Sequence, residues 1–378
     1  MHTANDTFGK EKMKVINILQ FKVVRMLCAV TMLNFCIVPS LSAQEQSQQT
    51  TVEGKLVPEY SDITFREIES NGIRMRLAEK GQGPMVLLLH GWPESWYSWR
   101  HQINALAAAG YHAVAPDMPG YGETGKFAGI EEYNIVNLSR TMIGILDALG
   151  ESKVALVAHD WGAGVAWNTA LTYPERFSKL IIMSVPLRAY SSEPPTTILK
   201  HTFGENFYYQ LYFQEPGVAE AEFDNNPEAI ISRLYASPDT PRQPAELTDR
   251  RMAAGGWIPR LGALKELPAW LTQDDLDYVV AQFKHAGFAG GINYYRNFDR
   301  NWEMTPHLAN AQIQSPTLFI AGEKDVVIRG ADKEALWSLM KPRIPLLDRI
   351  ELIPDVGHWV QQEAADQVNA LMLDFLNQ

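Results

Sequence analysis

VALVAHDWGAG (residues 154–164) runs from a short, unbroken apolar stretch into small residues grouped around Asp160. The apolar part, Val154–His159, lacks the in-and-out alternation of a strand with one wet face. Runs of this kind suit parallel strands covered on both sides. The same kind of run recurs at Met85–His90 (MVLLLH), His112–Pro116 (HAVAP), Lys179–Val185 (KLIIMSV), Thr317–Ala321 (TLFIA) and Asp348–Ile353 (DRIELI). Helical stretches fill the intervals at Ser95–Ala109, Glu132–Leu149, Gly162–Tyr173 and Gln362–Leu376. Alternating strand and helix predicts a doubly wound α/β core. Ahead of it, Ile63–Glu69 and Ile73–Glu79 alternate around Asn71-Gly72, which predicts an antiparallel hairpin at the start of the sheet.

The rhythm stops between Pro186 and His307. That region is rich in Tyr, Phe, Pro and helical pattern and holds no apolar strand run; Leu271–His285 reads as a helix starting at Thr272 with a polar first turn. The strand rhythm resumes at Pro316. The expected organisation is a core built from residues 44–185 and 308–378, interrupted by a helical cap at 186–307. A chain of 378 residues, 46% hydrophobic and 20% charged, has too much apolar material to stay disordered. Its net charge of −11 and the lack of any Lys/Arg cluster argue against a nucleic-acid partner. The two cysteines, Cys28 and Cys36, support neither a disulfide framework nor a thiolate metal site. The nine histidines form no HxxxH pair, so no metal is expected, and nothing in the chain calls for a cofactor.

Both cysteines fall in a separate segment. Met26–Val38 (MLCAVTMLNFCIV) is mostly apolar, follows Lys14, Lys22 and Arg25, and precedes Pro39, Ser40, Ser42 and Ala43. A basic start, a short apolar centre and a small-residue end read as a secretory signal over residues 1–43; the apolar stretch is short for a membrane span. The expected destination is secreted or periplasmic, or cytoplasmic if the segment is not a signal. No stable membrane span is expected in the mature chain.

Chemistry gathers at the carboxyl ends of the strands, where open parallel sheets bind ligands. Small residues at 158, 162 and 163 flank Asp160 on a tight strand-to-helix turn, the nucleophile-elbow pattern with Asp where a lipase has Ser. The blander reading makes Asp160 an N-cap for the helix that follows. The elbow aims the next backbone N–H, that of Trp161, at a developing oxyanion. His90-Gly91-Trp92-Pro93-Glu94 ends the first apolar strand, where a second oxyanion N–H, that of Trp92, is expected. Asp325 in Gly322-Glu323-Lys324-Asp325 is the candidate acid, with Glu323 as its competitor; His358 follows the last strand. The order Asp160, Asp325, His358 is nucleophile, acid, base. A carboxylate attacking saturated carbon forms an alkyl ester, which a His-activated water can hydrolyse; a serine would form an ether that water does not readily cleave. The leaving group is then a halide or the oxygen of a strained epoxide.

HGWPE (90–94), HDWGAG (159–164), GEKD (322–325) and GHW (357–359) together resemble the α/β-hydrolase-fold epoxide hydrolases, especially the soluble type. The resemblance runs from about Tyr60 to the carboxyl terminus and is strongest in YQLYFQEPG (209–217), NYYRN (293–297) and Asn301-Trp302. It implies a mostly parallel eight-stranded sheet, an inserted helical cap, and hydrolysis of an epoxide to a vicinal diol. It also implies that two cap tyrosines hold and protonate the epoxide oxygen. The motifs place these at Tyr209 and Tyr295, with Tyr208, Tyr212 and Tyr294 as close neighbours. The alternative is a haloalkane dehalogenase, which shares the fold and nucleophile but does not need two lid tyrosines. Some relatives carry the acid after the strand at 179–185; here that site holds Ser184, which favours Asp325. Large soluble members also carry an extra amino-terminal domain, and the stretch between residue 43 and Met85 is too short for it. His90, Pro93, Phe213, Trp302 and Trp359 are expected to contact substrate, with Trp92 and Trp96 in an apolar tunnel suited to a lipophilic epoxide. His159 reads as a packing or hydrogen-bonding residue.

Overall fold

The computed structural model describes residues 60–378; the apolar amino-terminal segment, with Cys28 and Cys36, lies outside the described residues. The first described elements are β1 (Thr64–Ser70) and β2 (Ile73–Lys80), paired antiparallel from Thr64↔Glu79 to Ser70↔Ile73. Asn71 (φ 49°) and Gly72 (φ 80°) form the turn between them, and two left-handed residues match the twist of a tight hairpin. There follow β3 (Met85–Leu89), α1 (Arg100–Ala108), β4 (His112–Pro116), α2 (Ile135–Leu149), β5 (Val154–His159), α3 (Trp161–Thr172) and β6 (Phe177–Met183). An insertion carries α4 (Pro195–Phe203), α5 (Tyr209–Tyr212), α6 (Val218–Asn225), α7 (Pro227–Leu234), α8 (Gln273–Ala286), α9 (Ala289–Arg296) and α10 (Phe298–Met304). The chain then returns to the core with β7 (Thr317–Gly322), α11 (Lys333–Met340), β8 (Leu347–Ile353), α12 (Val360–Glu363) and α13 (Ala365–Leu376).

The eight strands form one sheet in the order β1-β2-β4-β3-β5-β6-β7-β8. β2 meets β4 antiparallel, and every pairing from β4 to β8 is parallel. The central strands β3 and β5 are buried along their whole length, as their lack of alternation requires. Their carboxyl ends lie side by side, Leu89 opposite Ala158, and this places the turns at His90-Gly91 and Asp160 next to each other. The sheet therefore matches the expected α/β architecture. Two helices differ in detail: Trp96–Trp99 is a 3-10 turn leading into α1, and the carboxyl-terminal helix breaks at Ala364 into α12 and α13. α11 left no legible pattern, since it is short and its apolar Trp337 and Leu339 face solvent.

Local chemistry fixes the helix ends. Asn134 accepts the N–H of Asn137 at the start of α2, and Gly150 ends that helix at φ 75°. Thr272 and Asp275 form a reciprocal capping box at the start of α8: Thr272 Oγ1 accepts the Asp275 N–H at 3.1 Å, and Asp275 Oδ2 accepts the Thr272 N–H at 2.9 Å. The same carboxylate ties the insertion to the core. Its Oδ1 accepts the Tyr97 hydroxyl at 2.7 Å and lies 3.3 Å from Arg100 Nε. Further ties run from Trp96 Nε1 to the Tyr278 hydroxyl, from the Tyr235 hydroxyl to the Pro93 carbonyl, and from the Tyr294 hydroxyl to the Pro119 carbonyl. Trp96 is thus a fully buried strut, and the expectation that it lines a substrate tunnel is corrected. Among the described residues, no helix is long and apolar enough to cross a membrane.

Asp275 serves two ends at once, which gives a graded stability test. Thr272→Ala removes only the cap and should cost about 1 kcal/mol in urea unfolding. Asp275→Ala also strands the buried Arg100 guanidinium and should cost about 3–5 kcal/mol. Equal costs would contradict the shared role.

Candidate active site

Asp160 follows β5 with φ 50° and ψ −118°, a conformation that a non-glycine residue adopts only under constraint. Two close approaches impose it. A Cβ on Gly91 would lie 2.4 Å from Asp160 Cβ, and one on Gly162 would lie 2.1 Å from the Leu89 carbonyl oxygen. Glycine at both positions lets the β3 turn and the first turn of α3 close on the elbow. Although Asp160 occupies the N-cap position of α3, its side chain makes no capping bond. Instead Oδ1 accepts the Trp92 N–H at 2.8 Å, and Oδ2 faces His358 Nε2 at 3.8 Å. The helix-capping reading of Asp160 therefore fails on geometry.

His358 follows β8 and turns its other nitrogen, Nδ1, to Asp325 Oδ1 at 3.0 Å; Ser184 Oγ lies 3.1 Å from the same nitrogen. Asp325 is buried after β7, and its Oδ1 also accepts the Val327 N–H at 2.9 Å. Its competitor Glu323 is exposed. Burial disfavours the Asp325 carboxylate, but the His358 charge and hydrogen bond outweigh that and hold its pKa below the usual range. Burial likewise opposes the His358 imidazolium, yet the carboxylates of Asp325 and Asp160 prevail and push its pKa up to about 9. Ser184 was visible in sequence only as a strand end without a carboxylate; the fold makes it a neighbour of the imidazole.

A fully buried pair braces this loop from behind. His159 Nδ1 lies 3.0 Å from Glu94 Oε2, and His159 Nε2 donates to the His358 carbonyl at 2.8 Å. Glu94 also accepts the Gly91 N–H at 2.6 Å and the Gln361 amide at 2.8 Å. Its carboxyl would be raised by burial, but His159 and His90 bring it below the ordinary value. His159 thus makes the hydrogen-bonding contacts expected of it. Glu94, quoted in the HGWPE motif without a role, links the β3 turn to the His358 loop.

The insertion supplies two phenols opposite the carboxylate. Tyr209 at the start of α5 and Tyr295 in α9 line the same cavity as Asp160, with their rings 5.8 Å apart and nearly perpendicular. Gln210 Nε2 donates to the Tyr209 hydroxyl at 2.9 Å. Burial, with smaller contributions from an adjacent phenol (Tyr208 beside Tyr209, Tyr209 beside Tyr295) and the Asp160 charge, raises both phenol pKa values, so each keeps its proton. Of the neighbouring tyrosines, Tyr212 is committed to Glu222 and Tyr294 to Pro119, while Tyr208 stacks on Phe203 in the wall.

The cavity has two arms that share Asp160, Tyr209, Tyr295, Val326 and Val327. The larger, about 680 Å³, includes Trp161, Leu199, Phe203 and Phe298. The smaller, about 280 Å³, includes Trp92, Pro93, Trp257, His358 and Trp359. Pro93 and Trp359 therefore lie where substrate contact was expected. Three placements are corrected. His90 is buried under the β3 turn, with Nδ1 donating to the Gly91 carbonyl and Nε2 accepting the Met118 N–H, so its ring supports the turn. Phe213 is wholly buried behind Trp92 and Tyr295. Trp302 lines an adjoining cavity beside Tyr190, which shares Gly164, Arg188 and Phe298 with the larger arm but does not include Asp160. Trp257, stacked on Trp92 with ring centres 5.7 Å apart, was missed, because the segment that carries it has no periodicity to read.

The charge on Asp160 helps raise His358, so neutralising that carboxylate should lower the imidazole's pKa. Histidine NMR titration should find His358 near 9 in the unaltered protein and clearly lower in Asp160→Asn. An unchanged value would contradict the coupling.

Comparison with known proteins agrees with this architecture. Residues 84–365 match the α/β-hydrolase-fold family model. Epoxide hydrolase A of Mycobacterium tuberculosis is 43% identical over 317 residues, covering 83% of this chain and 97% of that protein. Epoxide hydrolase 3 of Siraitia grosvenorii is 39% identical over 316 residues, covering 82% and 97%. The crystal structure of epoxide hydrolase A from Mycobacterium thermoresistibile superposes with a TM-score of 0.77 at 44% identity, covering 83% of this chain and 98% of that one.

Proposed function

The chain belongs to the epoxide hydrolases of the α/β-hydrolase fold, and we propose that it converts a lipophilic epoxide to a vicinal diol through an ester on Asp160. The observation that carries the mechanism is the cavity in which one carboxylate faces two protonated phenols. An opening epoxide leaves as an alkoxide, which needs a proton as the C–O bond breaks. A halide does not, and the paired phenols of Tyr209 and Tyr295 would be idle in halide displacement. The apolar walls of the larger arm favour a lipophilic substrate.

In the first step an oxygen of Asp160 attacks a ring carbon, the C–O bond breaks, and the ring oxygen takes a proton from Tyr209 or Tyr295. Esterification removes the Asp160 charge that had helped to hold the proton on His358. The imidazole's pKa then falls, its proton passes to the tyrosinate left by the first step and restores the phenol, and the neutral ring accepts a proton from water. That water attacks the carboxyl carbon of Asp160. The N–H groups of Trp92 and Trp161 stabilise the oxyanion of the tetrahedral intermediate. Its collapse frees the second diol oxygen, which takes the proton from His358, and the carboxyl proton left on Asp160 then passes to His358, which restores the resting charges. Asp325 keeps the His358 ring oriented throughout. The helical insertion acts as a cap that keeps bulk water from the ester. The pattern of residues 1–43 supports export, so we place the mature enzyme outside the cytoplasm, and cell fractionation of the full chain tests that placement.

The proposal separates the two half-reactions. Asp160→Asn should abolish steady turnover. His358→Gln should accumulate an adduct of substrate mass on the peptide containing Asp160. Tyr209→Phe and Tyr295→Phe should each slow ester formation by about 10²-fold or more while leaving its hydrolysis less affected. Multiple turnovers by His358→Gln without an adduct would exclude the mechanism.

A further inference from the structure

Glu363 is the last residue of α12, and its carboxylate reaches back past the start of that helix to the loop that carries His358. Oε1 accepts the Trp359 N–H at 2.9 Å, and Oε2 accepts the Gly357 N–H at 3.1 Å. The backbone is thus held on both sides of the imidazole. Oε2 also accepts the Ser237 hydroxyl at 2.7 Å, and Ser237 Oγ in turn accepts the Trp270 indole N–H at 2.9 Å. Ser237 and Trp270 belong to the helical insertion, between α7 and α8. One side chain therefore ties the base loop to the cap. Capping the short helix would need only the Trp359 N–H; the contacts with Gly357 and Ser237 lie outside α12.

The same stretch of cap presses on the loop at other points. Trp359 Nε1 donates to the Leu234 carbonyl at 3.0 Å, and the Trp359 ring lies against Tyr235 with centres 4.6 Å apart. A Cβ on Gly357 would lie 2.7 Å from Pro238 Cδ, so glycine lets the cap approach the loop at backbone distance. On the core side, the Lys324 N–H donates to the Val356 carbonyl at 2.9 Å, and His159 holds the His358 carbonyl. The loop is clamped between core and cap. Burial raises the Glu363 pKa, and its three donors limit the rise. Without this acceptor the two N–H groups beside His358 would lose their partner, and the loop would have to shift to pair them again.

We infer that Glu363 is a positioning residue for ester hydrolysis: it fixes the His358 loop to residues 234–238 of the cap, so that the imidazole meets water and the Asp160 carboxyl only while the cap is seated. The inference rests on the two-step mechanism proposed above. Ester formation uses Asp160 and the two phenols, which lie outside these contacts. Hydrolysis needs His358 Nε2 aimed at a water beside Asp160, and a misplacement of about 1 Å at such a position can cost about 10²-fold. The two half-reactions should therefore respond unequally.

Rapid-quench single turnovers with styrene oxide, read by the mass of the peptide containing Asp160, give the rates of ester formation and decay separately. Glu363→Gln keeps the size of the side chain but turns an amide NH2 toward one of the N–H donors. It should slow ester decay by about 10- to 100-fold and leave ester formation within about threefold. In steady state kcat and KM should then fall together while kcat/KM holds. Ser237→Ala leaves the carboxylate in place and cuts the cap tie; it should slow decay in the same selective way, by a smaller factor. Should Glu363→Gln fail to fold, Ser237→Ala carries the test alone. Tyr278→Phe breaks a cap–core hydrogen bond away from the loop and should leave the ratio of the two rates unchanged. Equal slowing of both steps in Glu363→Gln, or decay at the unaltered rate in either Glu363→Gln or Ser237→Ala, overturns the inference. Selective slowing of decay in Tyr278→Phe also overturns it, since any loosening of the cap would then suffice. Each of these results leaves the hydrolase reading intact. Diol formed with no ester on Asp160 in the unaltered enzyme or any variant overturns the mechanism and the inference with it.

Discussion

The backbone at residue 160 is the constraint on which the site depends. A φ of 50° on an aspartate costs on the order of 1–3 kcal/mol, and nothing local repays it. The sheet does. β3 and β5 are buried throughout, and a single buried Leu or Val side chain contributes about 1.5–3 kcal/mol, so a few residues such as Leu87, Leu88 and Leu156 offset the strain. Their parallel register then fixes the separation of the two turns. Gly91 and Gly162 let those turns approach to distances that any side chain would forbid. The carboxylate emerges with one oxygen on the Trp92 N–H and the other toward His358.

The electrostatics follow from that placement. Asp160 and Asp325 flank one imidazole, and together they stabilise its charged form despite burial. In the resting site the imidazole is an ion-pair partner, and it becomes a base when the nucleophile is neutralised. The order of the two chemical steps is thereby built into the charge balance. The phenols show the opposite effect. Burial keeps Tyr209 and Tyr295 protonated, as a donor to a nascent alkoxide must be.

The parallel strands were legible because each is a short apolar run without alternation, and the hairpin because Asn71-Gly72 interrupts alternation. The elbow was legible because small residues crowd around Asp160. What escaped has a physical pattern too. α11 turns apolar side chains outward, so its periodicity misleads. Trp257 lies in irregular chain between α7 and α8. His90 and Phe213 were expected at the substrate because they adjoin motif residues, but adjacency does not tell which way a side chain points. His90 supports a turn, and Phe213 packs behind the wall. The roles of Glu94 and Ser184 depend on contacts between strands and loops far apart in sequence, and only the folded register reveals them.

The central claim is a transient ester between Asp160 and substrate. A single turnover in ¹⁸O-labelled water, with enzyme in excess over epoxide, tests it most directly. The account predicts the heavy oxygen in the carboxylate of Asp160 and unlabelled oxygen in the first diol released. Heavy oxygen in that first diol, with an unlabelled Asp160 peptide, would mean that water attacks the epoxide directly.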